Sequence, residues 1–344
     1  MKVNFLIVFV LFVTLASSHD LHRIVNDEAM ILTINMQAKT WEAGPNERFA
    51  DMKLSTVERL LGSLKTTEEQ KLPAKKISIN KNLPTNFDLR ERWPQCDSLK
   101  EIRDQSTCGS CWAFGAAEAM SDRICIASEG KIQVRISTEN LLSCCSSCGY
   151  GCNGGWPQEA WNYWLHHGLP TGGLYGDNST CQPYTFPPCD HHVDGKYGPC
   201  SSEEFPTPKC SHQCVNGYPK SFEKDLWYAS EAYGVDNDEE AIKTEIFERG
   251  SVEAAFTVYE DFLNYKKGVY QRTTGSELGG HAIKVIGWGV ENGVAYWLCV
   301  NSWNDGWGDM GTFKILRGKN HLGIESEIVA GIPKLKSDFL EYLE

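Results

Sequence analysis

Fourteen cysteines, all of them after residue 95, constrain this chain more than any other feature. Twelve of them (Cys96, Cys108, Cys125, Cys144, Cys145, Cys148, Cys152, Cys181, Cys189, Cys200, Cys210 and Cys214) sit in loop-like contexts rich in Gly, Pro, Ser or Asp, or at element ends. Two differ. Cys299 lies in the apolar, strand-like run Ala295-Tyr296-Trp297-Leu298-Cys299-Val300, where a free cysteine acts as a small hydrophobe. Cys111 stands where a loop becomes a helix, with Phe114, Ala117, Met120 and Ile124 recurring behind it at the spacing of a buried helix face. Setting these two aside leaves up to six bridges, whose pairing the sequence alone leaves open.

Bridges rather than zinc are favoured by the amino terminus. Lys2 is followed by an almost unbroken apolar run from Phe5 to Phe12 and then by Thr14-Leu15-Ala16-Ser17-Ser18, the pattern of a secretory signal peptide over 1–18. Export places the cysteines where disulfides persist. No later apolar run approaches the ~20 residues of a membrane span. The formal charge of −12 carries no run of like charges, which argues against nucleic acid as a partner.

Residues 19–82 hold no cysteine, are helix-prone and polar, and contain one distinctive patch, Thr40-Trp41-Glu42-Ala43-Gly44-Pro45-Asn46. Four lysines between Lys71 and Lys81 suggest a connector open to proteolysis. A propeptide over 19–82 ahead of a mature body is the expected organisation. The body reads as helices over 111–126, from the Ser137 cap through Leu142, from Pro157 to Gly168 and from Asp238 to Arg249. An irregular, cysteine-bearing stretch covers 169–235. Strands follow at 252–258, 281–288, 294–301 and 312–317, the middle two joined through Asn292-Gly293, a hairpin signal.

That hairpin brings His281 and Asn301 to within a residue or two of register. A cysteine nucleophile needs a base, and the base needs an orienting group. Cys111 at a helix start, where the macrodipole favours a thiolate, together with a His–Asn pair satisfies both needs.

With these residues in view, Gln105…Cys108-Gly109-Ser110-Cys111-Trp112, Cys152-Asn153-Gly154-Gly155, Gly280-His281-Ala282 and Asn301-Ser302-Trp303 resemble the papain family of cysteine peptidases over about 83–333. The stretch Pro188-Cys189-Asp190-His191-His192-Val193…Cys200 resembles the occluding loop (about 189–200) of the cathepsin B-like members, and Trp41-Glu42-Ala43-Gly44 resembles their propeptide. The resemblance implies an α+β, papain-like two-domain fold: a helical left domain with a central helix at Cys111, a β-barrel-like right domain, and a cleft between them. It implies a zymogen whose Cys111–His281 pair works as thiolate and imidazolium, with Asn301 orienting the imidazole. Gln105 and the Cys111 N–H would form an oxyanion hole. Gly154, Gly155, Trp303, His191, His192 and Glu327 would bind substrate, the histidines taking a terminal carboxylate in dipeptidase action. Asp104 would latch the loop through His191.

The implied bridges are Cys96–Cys125, Cys108–Cys152, Cys144–Cys210, Cys145–Cys148, Cys181–Cys214 and Cys189–Cys200. No metal or other cofactor is expected. Peptide and protein substrates, the chain's own propeptide as inhibitor and cystatin-type inhibitors are the expected partners, in a lysosomal or secreted setting. Asn178 in Asn178-Ser179-Thr180 is a glycosylation candidate. Ser106 departs from a usual glycine and Tyr197 from a frequent arginine, the latter removing a loop tether. Residues 334–344 extend past the usual end. The competing reading is a catalytically silent, secreted binding protein of the same fold, which would be expected to lose Cys111, His281 or Gln105.

Overall fold

The computed structural model describes residues 23–190, 196–201 and 203–336. The expected signal peptide, His191, His192 and most of the C-terminal extension lie outside the described residues. In chain order, the leader contributes α1 (Glu28–Gln37) and β1 (Trp41–Ala43). The body contributes α2 (Cys111–Ala127), α3 (Thr138–Cys144), α4 (Pro157–His167), β2 (Tyr228–Gly234), α5 (Glu239–Arg249), β3 (Val252–Tyr259), β4 (Tyr265–Tyr270), β5 (Glu277–Glu291), β6 (Val294–Val300), β7 (Thr312–Leu316) and β8 (Val329–Lys334).

Helix α2 is buried from Cys111 to Ile126 and not on one face alone. Its Ala113, Gly115, Ala116, Ala117 and Ala119 are small enough for neighbours to close in all round, as a central helix requires. Arg123 travels inside with it and donates to Glu245 Oε1 at 2.9 Å, to the Ser251 carbonyl at 2.6 Å and to the Gly331 carbonyl at 2.8 Å. One guanidinium thus ties α2 to α5 and β8. Burial alone would raise the Glu245 carboxyl, but Arg123 and the Tyr233 hydroxyl hold it lower than usual. Shorter helices start on caps that the sequence announces. Ser137 accepts from Asn140 N and Asp238 from Ala241 N, each cap contributing about 1 kcal/mol.

The strands form one sheet in the order β1-β4-β7-β6-β5-β3-β8-β2, with Phe87–Asp88 pairing beside β5. The β5–β6 connection is a two-residue turn, Asn292-Gly293, with φ of 51° and 79°, the left-handed pair that suits a hairpin. A bulge between Val285 and Gly287 shifts the register, so that Lys284 faces Val300. Trp112, Leu141, Trp161 and Trp164 belong to a core in the helical half. Phe256, Phe262, Trp288, Trp297 and Phe313 belong to another in the sheet half. Cys111, Ala255 and Ala282 meet between the two.

Six disulfides close, in the pairs that the family resemblance implies: Cys96–Cys125, Cys108–Cys152, Cys144–Cys210, Cys145–Cys148, Cys181–Cys214 and Cys189–Cys200. Cys111 and Cys299 remain free and buried.

Two expectations need correcting. The stretch 169–235 is not irregular to its end, because β2 pairs with β8 from Tyr228 to Gly234. Its alternation is blurred by Ser230, Glu231 and Ala232. The lysine-rich connector is docked rather than loose. Leu72 N donates to Gln158 Oε1 at 3.1 Å, Lys75 N donates to the Gly234 carbonyl at 2.9 Å, and Lys75 Nζ meets Glu231. Extended backbone added to the open edge of β2 explains this ordering of a segment with little to bury. Beside Tyr197, the loop stem carries a different tether. Lys196 Nζ lies 2.8 Å from Asp305 Oδ2, an exposed and therefore weak pair.

Candidate active site

The hairpin delivers His281 and Asn301 to one point, and α2 delivers Cys111 to the same point. All three are fully buried. His281 Nε2 lies 2.7 Å from Asn301 Oδ1, which also accepts from Ser302 N at 2.8 Å. Among the described residues, His281 Nδ1 has no hydrogen-bond partner. The next residue, Ala282, donates its N–H to Cys111 Sγ at 3.5 Å. Trp303 covers the pair, its ring centroid 4.5 Å from that of His281.

Gln105 is held from several sides. Its N–H bonds the Ser302 carbonyl at 2.9 Å, and its Oε1 accepts from Ser302 Oγ at 2.8 Å. Its Nε2 is thereby aimed at the Cys108 carbonyl and at a carbonyl of the leader, Leu60, both at 2.8 Å.

The leader fills the cleft. Ser63 N donates to the Gly280 carbonyl at 3.0 Å, Gly155 N to the Gly62 carbonyl at 2.8 Å, and Leu64 N to the Gly155 carbonyl at 2.9 Å. Gly154, with φ of 106°, passes close to Leu64 and the Gly62 carbonyl. The Gly62 N–H faces the Cys111 sulfur and favours its charged form. A Cβ on Gly62 would collide with the Gly109 carbonyl. These leader contacts were not anticipated from the sequence. The available signal was that Gly62 is the only glycine between Gly44 and Gly109.

Burial sets the protonation chemistry of the pair. Burial pushes the Cys111 thiol up to about 12, against the pull of N–H donors from Ala282, Gly62 and Trp112. Burial likewise brings His281 down to about 4, although the Asn301 contact favours its charged form. The expectation of a thiolate at the helix terminus is therefore not met with the leader in place. Removal from water outweighs the helix dipole, whose usual worth is about 0.3–1 kcal/mol.

Asp104 lies beside the site but is engaged elsewhere: it accepts from Ser106 N, Cys189 N and Asn304 Nδ2. Its expected partner His191, and the neighbouring His192, fall outside the described residues. Glu327 is half-buried, and its charge reaches Lys71 of the leader. Asn178 is exposed on its loop. Ser106 has φ of 57°, the left-handed conformation that its glycine-like position demands.

A buried thiol, an imidazole oriented by an amide and a cleft between a helical and a sheet core define the papain class, and the family profile of the papain family cysteine proteases matches residues 83–332. The chain belongs to that family and is a cysteine protease. Its similarity is to the cathepsin B-like members. It is 54% identical over 266 residues to cathepsin B-like cysteine proteinase 6 of Caenorhabditis elegans, covering 77% of this chain and 70% of that one. It is 48% identical over 298 residues to the cathepsin B-like cysteine proteinase of Schistosoma japonicum, covering 86% of each. Among solved structures, procathepsin B S9 from Trypanosoma congolense superimposes with a TM-score of 0.78 at 36% identity, covering 91% of this chain and 100% of that one.

Proposed function

We propose that the body hydrolyses peptide bonds by attack of the Cys111 sulfur, with His281 as base and then acid and Asn301 as orienting group. The observation that carries this is the 2.7 Å His281–Asn301 contact, which leaves Nδ1 as the ring nitrogen without a partner among the described residues, next in chain to the Ala282 N–H that meets Cys111. Once the cleft opens to water and substrate, the thiol proton passes to Nδ1 and sulfur bonds the scissile carbonyl carbon. The imidazolium then protonates the leaving amine, and water releases the acyl group. Gln105 Nε2, with the Cys111 N–H, faces the developing oxyanion, each donor worth about 3 kcal/mol.

The leader is the inhibitor in this reading. It offers an N–H, not a carbonyl carbon, to the sulfur, while the carbonyl that reaches Gln105 belongs to Leu60, two residues earlier. Sulfur and oxyanion donors are both satisfied with nothing to attack. Gly154 and Gly155 would hold extended substrate by backbone bonds, as Gly155 holds the leader. Glu327 would accept an arginine side chain two residues before the cut, and Trp303 would line the leaving side. His191 and His192, cationic near pH 5–6, would take a terminal carboxylate and give carboxy-side dipeptidase action alongside endopeptidase action. Export with glycosylation at Asn178 and protein degradation in a lysosomal or extracellular setting complete the proposal.

Peptide-amide hydrolysis by processed variants tests it. Cys111→Ala and His281→Ala are expected to lose at least about a thousandfold in kcat/KM, and Asn301→Ala less. Unchanged hydrolysis in either of the first two would favour a silent binding protein with a contaminating activity.

A further inference from the structure

Arg48 of the leader is a long cation with no exposed surface, and it lies outside the stretch that fills the cleft. Its Nη1 lies 2.9 Å from Cys200 Sγ at the base of the 189–200 loop, and its Nη2 donates to the Ser106 carbonyl at 3.0 Å. The same Nη2 is 3.6 Å from Asp104 Oδ1. Phe49, the next residue, sets its ring edge-on to Trp303 with centroids 5.1 Å apart.

The receiving groups all belong to the body and are organised without Arg48. Asp104 Oδ1 is fixed by Ser106 N at 2.6 Å, and Oδ2 by Cys189 N at 3.0 Å and Asn304 Nδ2 at 2.9 Å. Asn304 in turn reaches the Cys189 carbonyl at 3.0 Å and Asp190 Oδ1 at 3.2 Å. The Ser106 carbonyl is turned outward by the left-handed backbone at that residue. Carboxylate, carbonyl and disulfide sulfur thus converge on the fork of one guanidinium, a geometry that an ammonium does not reproduce. Because three body N–H groups keep the carboxylate bonded when Arg48 leaves, the notch need not collapse or bury a naked charge.

We propose that Asp104, the Ser106 carbonyl and the Cys189–Cys200 base form a guanidinium-binding notch whose ligand is an arginine followed by an aromatic residue, and that Arg48–Phe49 of the leader is its resident occupant. Leader inhibition then has two grips, the Leu60–Leu64 stretch in the cleft and Arg48 in the notch. The second grip also holds the stem of the 189–200 loop while the leader is present. The proposal rests on the reading of the leader as inhibitor, but its test does not require catalysis.

The test uses the full-length chain carrying Arg48→Met, Arg48→Lys, Asp104→Asn or the double change Arg48→Met with Asp104→Asn. Hydrogen exchange at the Ser63 and Leu64 amides, bonded to Gly280 and Gly155, reads release of the leader from the cleft. Arg48→Met and Asp104→Asn are each expected to speed that exchange at least about tenfold, with the amides of α2 unaffected. The double variant is expected to be no faster than the faster single one, and Arg48→Lys to fall between wild type and Arg48→Met. Unchanged exchange, strictly additive effects, or an equal rise in α2 would overturn the notch. Loss of hydrolysis by the processed protein would instead overturn the peptidase reading and leave these exchange rates as they are.

Discussion

At the scale of single residues, the site is a balance between burial and a few directed hydrogen bonds. Ser106 is the clearest cost. Holding a non-glycine residue at φ of 57° is unfavourable by about 1–2 kcal/mol, while glycine's extra freedom in the unfolded chain offsets about 0.4–1 kcal/mol of any relief. Ser106→Gly is therefore expected to raise the unfolding free energy by about 0.5–1 kcal/mol, read as a higher urea midpoint at unchanged slope. A lower midpoint would mean that the serine hydroxyl, 3.8 Å from Cys189 Sγ, matters more than the backbone. The catalytic candidates themselves were legible from sequence because each sits at a nameable place: a helix start, a strand after two glycines, a strand end. Arg48 was not legible, since its partners come from the turn at Ser106 and a loop base 152 residues away.

Elements with a strong local signal were read nearly as they stand. The Asn292-Gly293 turn, the Ser137 and Asp238 caps and the Pro157 start are decided by short-range chemistry. Strands β2, β4 and β8 were missed because their burial follows from neighbours distant in sequence and not from their own alternation. The bulge in the β5–β6 ladder, which places the His281 and Asn301 side chains in contact although the ladder pairs Lys284 with Val300, has no sequence mark of its own. On the proposed function, the leader's extended segment across the cleft is the element on which control depends. Its fit at Gly62 has no room for a side chain. Gly62→Ala is expected to lift that segment at an overpacking cost of about 1–3 kcal/mol, raising the hydrolytic activity of the unprocessed chain about tenfold at neutral pH. Activity equal to that of the parent zymogen would show that the leader is held without close contact at Gly109.

For the whole molecule, the proposed function links closure by the leader to ionisation of Cys111 and His281. His281 has a folded, closed value of about 4 against an ordinary 6.5, because burial disfavours its cation. A group with a depressed basic pKa favours the closed form fully above 6.5 and ever less as pH falls toward 4, where the open form binds the proton first. The difference amounts to roughly 3 kcal/mol across that window. The same burial disfavours the Cys111 thiolate, so on the proposed function the closed chain is held back by protonation state as well as by obstruction. Two cores meeting at Cys111, a nine-stranded sheet carrying His281, and a leader paired to both sides of the cleft are what couple these events.

The most direct measurement is the rate and position of labelling by a thiol-directed epoxide, followed by mass spectrometry on the full-length chain from pH 7 to pH 4. Negligible labelling is expected at pH 7, then a rise between pH 6.5 and 4 as the leader opens, with a single adduct on Cys111 that abolishes hydrolysis. Labelling independent of pH, or an adduct on Cys299 with activity retained, would contradict it.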